Sequence, residues 1–361
     1  MEPVAIRWDG TLRVLDQTLL PAEERWIELA GAEDAAAAIR RLAVRGAPLI
    51  GIVAAYGLAV ELARGTGAPP GTESLVFATG LMRRRRGVRA AGSPAAVLPL
   101  AEAAALLRGA RPTAVNLAWA VDRVERAALA GGAAGARAEA EAIHAEEDAA
   151  SAAIARHGAD LLAGARTILT HCNTGALAAG GRGTAFAVLA ELAERGPLHV
   201  LACETRPLLQ GARLTAWELR RAGIVHELLV DGAAAGLIRR GEIDAVIVGC
   251  DRVAANGDVA NKVGTYAHAL AARAAGIPFV VAGPTSSIDP ALADGDLIEI
   301  EERGAGEVLT AGGVTIAVPG TSVRNPAFDV TPAELVSALV TERGVAAPPG
   351  REAIAALLAA K

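Results

Sequence analysis

The chain has 361 residues, 40 of them Asp or Glu and 35 Lys or Arg, for a formal net charge of −5. That small acidic excess excludes a protein held on nucleic acid mainly by phosphate charge. Hydrophobic residues make up 52% and aromatics 3%, which excludes disorder and requires a large core built from Ala, Val, Leu and Ile.

The first ten residues, MEPVAIRWDG, contain acids and no apolar h-region, so no secretion signal is read there. Asp9-Gly10 between two short apolar runs predicts a hairpin. EDAAAAIRRLAVRGAP predicts a helix stopping near Arg45-Gly46, and PLIGIVAAYGLAVELAR a second, with Pro48 in its first turn. The mean hydropathy of +0.35 raises the question of a membrane. The strongest apolar stretch, residues 46–60, is uncharged for 15 residues and holds Pro48, Gly51 and Gly57. A spanning helix needs about 20 residues, so a buried helix is expected instead. ARGTGAPPGTES reads as a loop, and the run Arg83-Arg84-Arg85-Arg86 as an exposed helix face rather than an anion patch. Residues 112–130 predict a helix, 131–136 a break at Gly131-Gly132, and 137–162 a long Ala-rich helix.

Beyond residue 165 the rhythm changes. TILTH, LHVLAC, HELLV, AVIVGC and PFVVAG alternate with helical runs, which predicts βαβ units and a parallel, doubly wound sheet. The expected fold is α/β. A mainly helical N-terminal domain with a small β element spans 1–136 and a connecting helix 137–165. A Rossmann-like domain spans 166–345 and a C-terminal tail 346–361.

No G-x-G-x-x-G follows a strand, and no P-loop is present. No HExxH or paired Cys-x-x-Cys occurs, and His171-Cys172 are adjacent, which sends their side chains to opposite faces of a strand; no metal site is expected. Three Cys do not make a disulfide framework and fit a reducing compartment. A cytoplasmic protein with no membrane and no nucleic-acid partner is expected. Lysine occurs only at 262 and 361, so Lys262 is the sole internal one.

Ligands of open α/β sheets bind outside the carboxyl ends of the strands. Three polar clusters fall there. In Thr170-His171-Cys172-Asn173-Thr174-Gly175, Cys172 is either a thiol activated at a strand-to-helix junction or a small buried residue. Nearby Gly181 and Gly183 either admit a phosphate or turn the chain. In Glu204-Thr205-Arg206-Pro207, followed by Gln210-Gly211, the polar groups suit a polyhydroxylated or phosphorylated ligand, or form a Glu–Arg pair. The densest cluster is Gly249-Cys250-Asp251-Arg252, then Asn256-Gly257-Asp258, then Asn261-Lys262. Asp251 at the mouth of a buried strand would have a raised pKa and serve as a proton donor, unless Arg252 pairs with it. Lys262, expected to open the next helix, suits a phosphate. Arg45-Gly46-Ala47-Pro48 and Arg111-Pro112-Thr113-Ala114 each put an Arg at a helix start, where it can grip phosphate with two donors.

RGAPLIGIVAAYGLA, RPTAVNLAWAVDR, THCNTGALA, ETRPLLQGARLTAWEL, GCDRVAANGDVANKVGTYAHALAA and RNPAFDVTPAELVSALVTERG occur in this order. Together they resemble the methylthioribose-1-phosphate isomerases, relatives of the regulatory subunits of translation initiation factor 2B. The resemblance runs from residue 8 to residue 345. It implies an aldose–ketose isomerase of methionine salvage, acting on 5-methylthioribose 1-phosphate as a homodimer without metal or nucleotide cofactor. It implies Cys172 as the catalytic thiol and Asp251 as the proton donor. It implies substrate contacts at Arg45, Gly46, Ala47, Arg111, Gln210, Asn261 and Lys262. The chain departs from the usual pattern at Arg182, Cys250 and Arg324, and in a longer segment over 63–110. Isomerases of 5-deoxyribose 1-phosphate or ribose 1,5-bisphosphate share the chemistry, and Arg182 is the candidate cation for a 5-phosphate. A non-catalytic regulatory subunit is the alternative from another class. A thiol hydrolase would need a His base beside Cys172.

Overall fold

The computed structural model of the chain describes residues 4–66, 97–111 and 115–360; the Arg83–Arg86 run lies outside them. Strands β1 (Ile6–Trp8), β2 (Leu12–Leu15) and β3 (Trp26–Leu29) pair antiparallel in chain order. Gly10, at φ 93°, makes the turn expected at Asp9-Gly10. Four helices follow: α1 (Ala32–Arg40), α2 (Ala47–Gly65), α3 (Leu100–Arg108) and α4 (Val115–Leu161). Helix α1 stops earlier than expected. Leu42 takes φ 62°, which the helix cannot continue through, and residues 41–46 become the loop that carries Arg45.

Every residue of α2 from Leu49 to Ala59 is buried. The helix is long and apolar enough to cross a bilayer, and its apolarity is that of a core helix packed on all sides. With few aromatics, the core closes by bringing backbones together. A Cβ on Gly51 would lie 2.9 Å from the Asn116 carbonyl oxygen of α4, and one on Gly57 would lie 2.6 Å from Ala35 Cβ of α1. The break expected over 131–136 is a single kink in α4 at Gly132 (φ 61°, ψ −148°). Beyond the kink α4 first packs Ala136, Ala140 and Ile143 into the helical core, then Ile154 and Ala159 into the core of the sheet.

The second half runs β4 (Thr167–Thr170), α5 (Ala176–Ala179), α6 (Ala185–Arg195), β5 (His199–Cys203), α7 (Ala216–Ala222), β6 (Val225–Leu229), α8 (Ala234–Arg239) and β7 (Ala245–Val248). Next come β8 (Arg252–Ala254), β9 (Val259–Lys262), α9 (Thr265–Ala275), β10 (Phe279–Ala282) and β11 (Ile288–Asp289). The chain ends with α10 (Gly306–Leu309), β12 (Thr310–Ala311), β13 (Val314–Thr315), β14 (Phe328–Thr331), β15 (Ala338–Thr341), β16 (Gly344–Ala346) and α11 (Arg351–Ala359). The main sheet has the order β16-β15-β10-β7-β4-β5-β6 and is parallel except for β16. Strands β7 and β10 are buried at every residue, as expected of a parallel sheet covered on both faces. From β4 the chain winds outward one way through β5 and β6, and from β7 the other way. The reversal between β4 and β7 opens a crevice at their carboxyl ends.

A second sheet, β11-β8-β9-β14, stands over that crevice. It is absent from the sequence reading, which runs a loop from AVIVGC to the next helix. Asn256-Gly257, with Gly257 at φ 92°, closes the β8–β9 hairpin and was its readable signal. Lys262 is therefore the last residue of β9, not the first of a helix.

Gly51→Val should lower stability by about 1–3 kcal/mol or more, because the α2–α4 crossing cannot widen without opening the core. Urea unfolding should show a lower midpoint with an unchanged m-value; an unchanged midpoint would mean the crossing is slack.

Candidate active site

Strand β4 ends at Thr170, and the next residues reach both sides of the sheet's edge. The His171 ring turns inward and Nε2 lies 2.9 Å from the Val263 carbonyl oxygen, while Cys172 lines the cleft. His171 is thus no base for the thiol. Cys172 sits at φ 66°, held there by two hydrogen bonds. Its N–H donates to Thr205 Oγ1 (2.9 Å) and its carbonyl accepts from Thr215 Oγ1 (2.5 Å). The helix expected to follow is one turn long, α5, and α6 begins only at Ala185. A one-turn helix supplies little dipole. The positive group at the thiol is instead Arg45, with Nη1 3.9 Å from Sγ.

Arg45 is fixed in turn by Asn173. Nη2 donates to the Asn173 carbonyl oxygen (3.1 Å) and to its side-chain oxygen, and Asn173 Nδ2 donates to the carboxylate of Glu218 on α7. Glu218 is fully buried and also accepts the Leu177 N–H (3.1 Å). Burial pushes its pKa up to about 7, against the opposing pull of Asn173, Leu177 and Arg45. Gly46, at φ 94°, lets the start of α2 press on α5: a Cβ there would lie 2.3 Å from the Ala178 carbonyl oxygen.

Strand β7 delivers Asp251 from the other side of the crevice. Its N–H donates to the Ala260 carbonyl oxygen across the β8–β9 hairpin (2.9 Å), and the hairpin returns the chain to Asn261 and Lys262. Lys262 Nζ donates to the Ala327 carbonyl oxygen (2.6 Å) and lies 4.3 Å from the centre of the Phe328 ring. Burial raises the Asp251 pKa, with Lys262, Arg111 and Arg45 pulling it back and Glu301 adding to the rise. Burial likewise lowers the Lys262 pKa, opposed by Cys172 and Asp251. Arg252 lies 3.8 Å from Asp289, and Arg111 3.1 Å from Glu301.

These groups converge on one cleft of about 450 Å³. Arg45, Gly46, Ala47, Arg111, Cys172, Gln210, Asp251, Asn261 and Lys262 all line it. Gln210 is buried with its Oε1 unpartnered, and Asn261 donates to Thr265 Oγ1 (3.0 Å). Arg45 Nη2 is spent on the neutral Asn173, Arg45 Nε is buried without a partner, and Lys262 donates to a carbonyl, so neither cation is paired with a carboxylate. Of the remaining candidates, Glu204 and Arg206 do not line the cleft; Arg206 donates to the Val308 carbonyl oxygen (3.0 Å). Gly183, at φ 101°, serves the turn against Thr174. Arg182 binds the carboxylate of Glu194 outside the cleft, which removes it as a cation for a 5-phosphate. The buried Glu218, and Asn173 as the link to Arg45, were not read from sequence. Both lie inside quoted motifs, but only their burial and contacts reveal the role.

The model of the initiation factor 2 subunit family matches residues 43–348. A methylthioribose-1-phosphate isomerase of Anaeromyxobacter sp. (strain K) is 52% identical over 351 residues, covering 97% of this chain and 95% of that one. The chain belongs to the methylthioribose-1-phosphate isomerase family. A crystal structure of the 5-methylthioribose 1-phosphate isomerase of Pyrococcus horikoshii OT3 superposes with a TM-score of 0.85 at 36% identity, covering 99% of this chain and 96% of that one. A further member-like relative, a 5-deoxyribose 1-phosphate isomerase of Moorella thermoacetica, is 48% identical over 368 residues, with 99% and 98% covered. In this member of the isomerase family, the cleft is assembled from both the helical region and the sheet.

The raised pKa of Glu218 ties stability to pH. A folded-state value of about 7 above the ordinary 4.5 gives a contribution fully present below about 4.5 and lost as pH rises through about 7. Glu218→Gln cannot ionise and should lack that loss. Over this window the wild type should lose about 3 kcal/mol relative to the variant, read by urea unfolding at each pH. A difference independent of pH would contradict the burial of an ionisable Glu218.

Proposed function

We propose that the chain is an aldose–ketose isomerase converting 5-methylthioribose 1-phosphate to 5-methylthioribulose 1-phosphate in methionine salvage. The observation that carries the reading is the convergence of Asp251, Cys172, Arg45, Arg111 and Lys262 on one cleft. An anomeric phosphate blocks spontaneous ring opening, so a proton donor at the ring oxygen is the first requirement. Asp251, whose burial favours its protonated form, fills it: the proton goes to the ring oxygen and the C1–O bond breaks. Hydrogen then leaves C2 and arrives at C1, and the C2 hydroxyl becomes the ketone. In one route the Cys172 thiolate takes the C2 proton and an enediol-type intermediate is reprotonated at C1. In the other a hydride shifts from C2 to C1 and Cys172 takes the hydroxyl proton. In both routes the proton lost by the C2 hydroxyl passes to the enzyme and balances the one Asp251 gave to the ring oxygen, so the substrate isomerises with no net gain or loss of atoms or electrons. Arg45, Arg111 and Lys262 hold the phosphate, with Gln210, Asn261 and the backbone at Gly46-Ala47 on the sugar.

The Moorella relative favours a second reading, a 5-deoxyribose 1-phosphate isomerase, with the same chemistry and a different fit at C5. We also take the chain to act as a cytoplasmic homodimer, as its family resemblance implies.

A panel of sugar 1-phosphates differing only at C5 tests the reading. The 5-methylthio sugar should give the highest kcat/KM; preference for the 5-deoxy sugar would establish the second reading, and no turnover of any would sink both. Cys172→Ser and Asp251→Asn should each lower kcat about 10²–10⁴-fold with an unchanged circular dichroism spectrum. Retention of near-normal turnover removes that residue from the chemistry. Solvent deuterium at C1 of the product marks the proton route, and full retention of the C2 hydrogen the hydride route. Asp251 and Lys262 must both carry their protons, so kcat/KM should fall on the alkaline side of its pH profile; a profile with no alkaline fall would contradict Asp251 as donor.

A further inference from the structure

On the inner side of the same strand ends lies a cluster that the reaction does not use. His171 follows β4, Cys203 ends β5 and His268 lies in α9. All three side chains are buried, and one nitrogen or sulfur of each falls within 4.8 Å of the others. His268 Nε2 is 3.3 Å from His171 Nδ1 and 3.6 Å from Cys203 Sγ.

Proton accounting makes the cluster unusual. His171 Nε2 faces the Val263 carbonyl oxygen at 2.9 Å, an acceptor only, so Nε2 carries the hydrogen and Nδ1 is a bare lone pair. That lone pair points at His268 Nε2, which also faces the sulfur. Without a further cation, a single imidazole hydrogen would have to serve both neighbours. The 3.3 Å separation of the nitrogens is also longer than the about 3.0 Å of an ordinary N–H hydrogen bond. Tetrahedral zinc, with bonds of about 2.0 Å to nitrogen and about 2.3 Å to sulfur, sets edges of about 3.3 Å between nitrogens and about 3.6 Å between nitrogen and sulfur. Both observed separations match those edges. The Val263 carbonyl stands where an outer partner fixes the tautomer of a metal-binding histidine. Asp231 Oδ1, 3.8 Å from His171 Nδ1, offers a fourth donor. Its carboxylate is held by the N–H groups of Thr205 (2.8 Å) and Arg206 (2.7 Å).

We propose that His171, Cys203 and His268 form a buried tetrahedral site for Zn²⁺, with Asp231 at the fourth corner. Binding releases the Cys203 thiol proton to solvent and forms the sulfur–zinc bond. Thiolate and carboxylate then neutralise the ion, so no net charge is buried. The site would pin β4, β5 and α9 together directly behind Cys172 without entering the cleft. The adjacency of His171 and Cys172 hid it, because the partners of His171 are 32 and 97 residues away.

The test uses the full chain produced in zinc- or cobalt-supplemented medium, with metal content measured on the purified protein. A single zinc or cobalt per chain is expected. The cobalt form should show visible bands of tetrahedral intensity and a thiolate-to-cobalt charge-transfer band in the ultraviolet. Cys203→Ser should abolish that band and Cys172→Ser should keep it. His268→Leu should weaken binding at least about tenfold, and a chelator should lower the melting temperature of the wild type but not of this variant. Metal content far below one per chain, or a charge-transfer band that survives Cys203→Ser, would overturn the site. Should His268→Leu not fold, the near-isosteric Cys203→Ser and the wild-type metal content still decide.

Discussion

The chain of contacts from Glu218 through Asn173 to Arg45 is the constraint on which the cleft depends. It ties a loop of the helical region to the end of β4 and, through α7, to the covering of the sheet. Its members are buried or half-buried and charged or amide-bearing. In such surroundings each donor left without its acceptor costs about 1–3 kcal/mol, more when charged. That penalty leaves Arg45 one position, beside Cys172 and facing the cleft. Asn173 can bridge two charges because its amide presents an acceptor to the guanidinium and a donor to the carboxylate.

The second side of the cleft follows from sheet topology. A doubly wound sheet opens where its winding reverses, and here the reversal falls between β4 and β7. Residues just beyond these two strands, Cys172 and Asp251, must therefore face each other across the crevice. The β8–β9 hairpin then carries the chain from Asp251 out and back, so that Lys262 joins the same cleft. Burying a carboxyl and an amine in one low-dielectric space moves their pKa values toward each other, upward for Asp251 and downward for Lys262. The opposite shifts of the two groups thus arise from a single packing event.

Much of this was legible beforehand, and the misses have particular causes. The strands TILT, HVLAC, VHELL, AVIV and FVVA were readable because parallel strands are runs of apolar and β-branched residues between turn signals. The second sheet was not, because β8 and β11 are three and two residues long, too short for periodicity to register. The helix expected after THCNTG failed because Gly180 and Gly183 take φ of 97° and 101°, a conformation that only the fold around Thr174 demands. Glu218 was not singled out, since nothing in WELRR says which side is covered.

The amino-acid sequence by itself determined the alternation of elements, the apolar core and, through its ordered motifs, nine of the residues that line the cleft. Those properties are local, written in periodicity, turn chemistry and the identity of short segments. The tertiary structure alone decided which distant residues meet. It set Arg45 against Cys172, raised the pKa of Glu218 by enclosing it, and turned His171 away from its neighbour toward Cys203 and His268. Such meetings depend on burial and on the crossing of strands and helices far apart in the chain, and no spacing along the sequence encodes them.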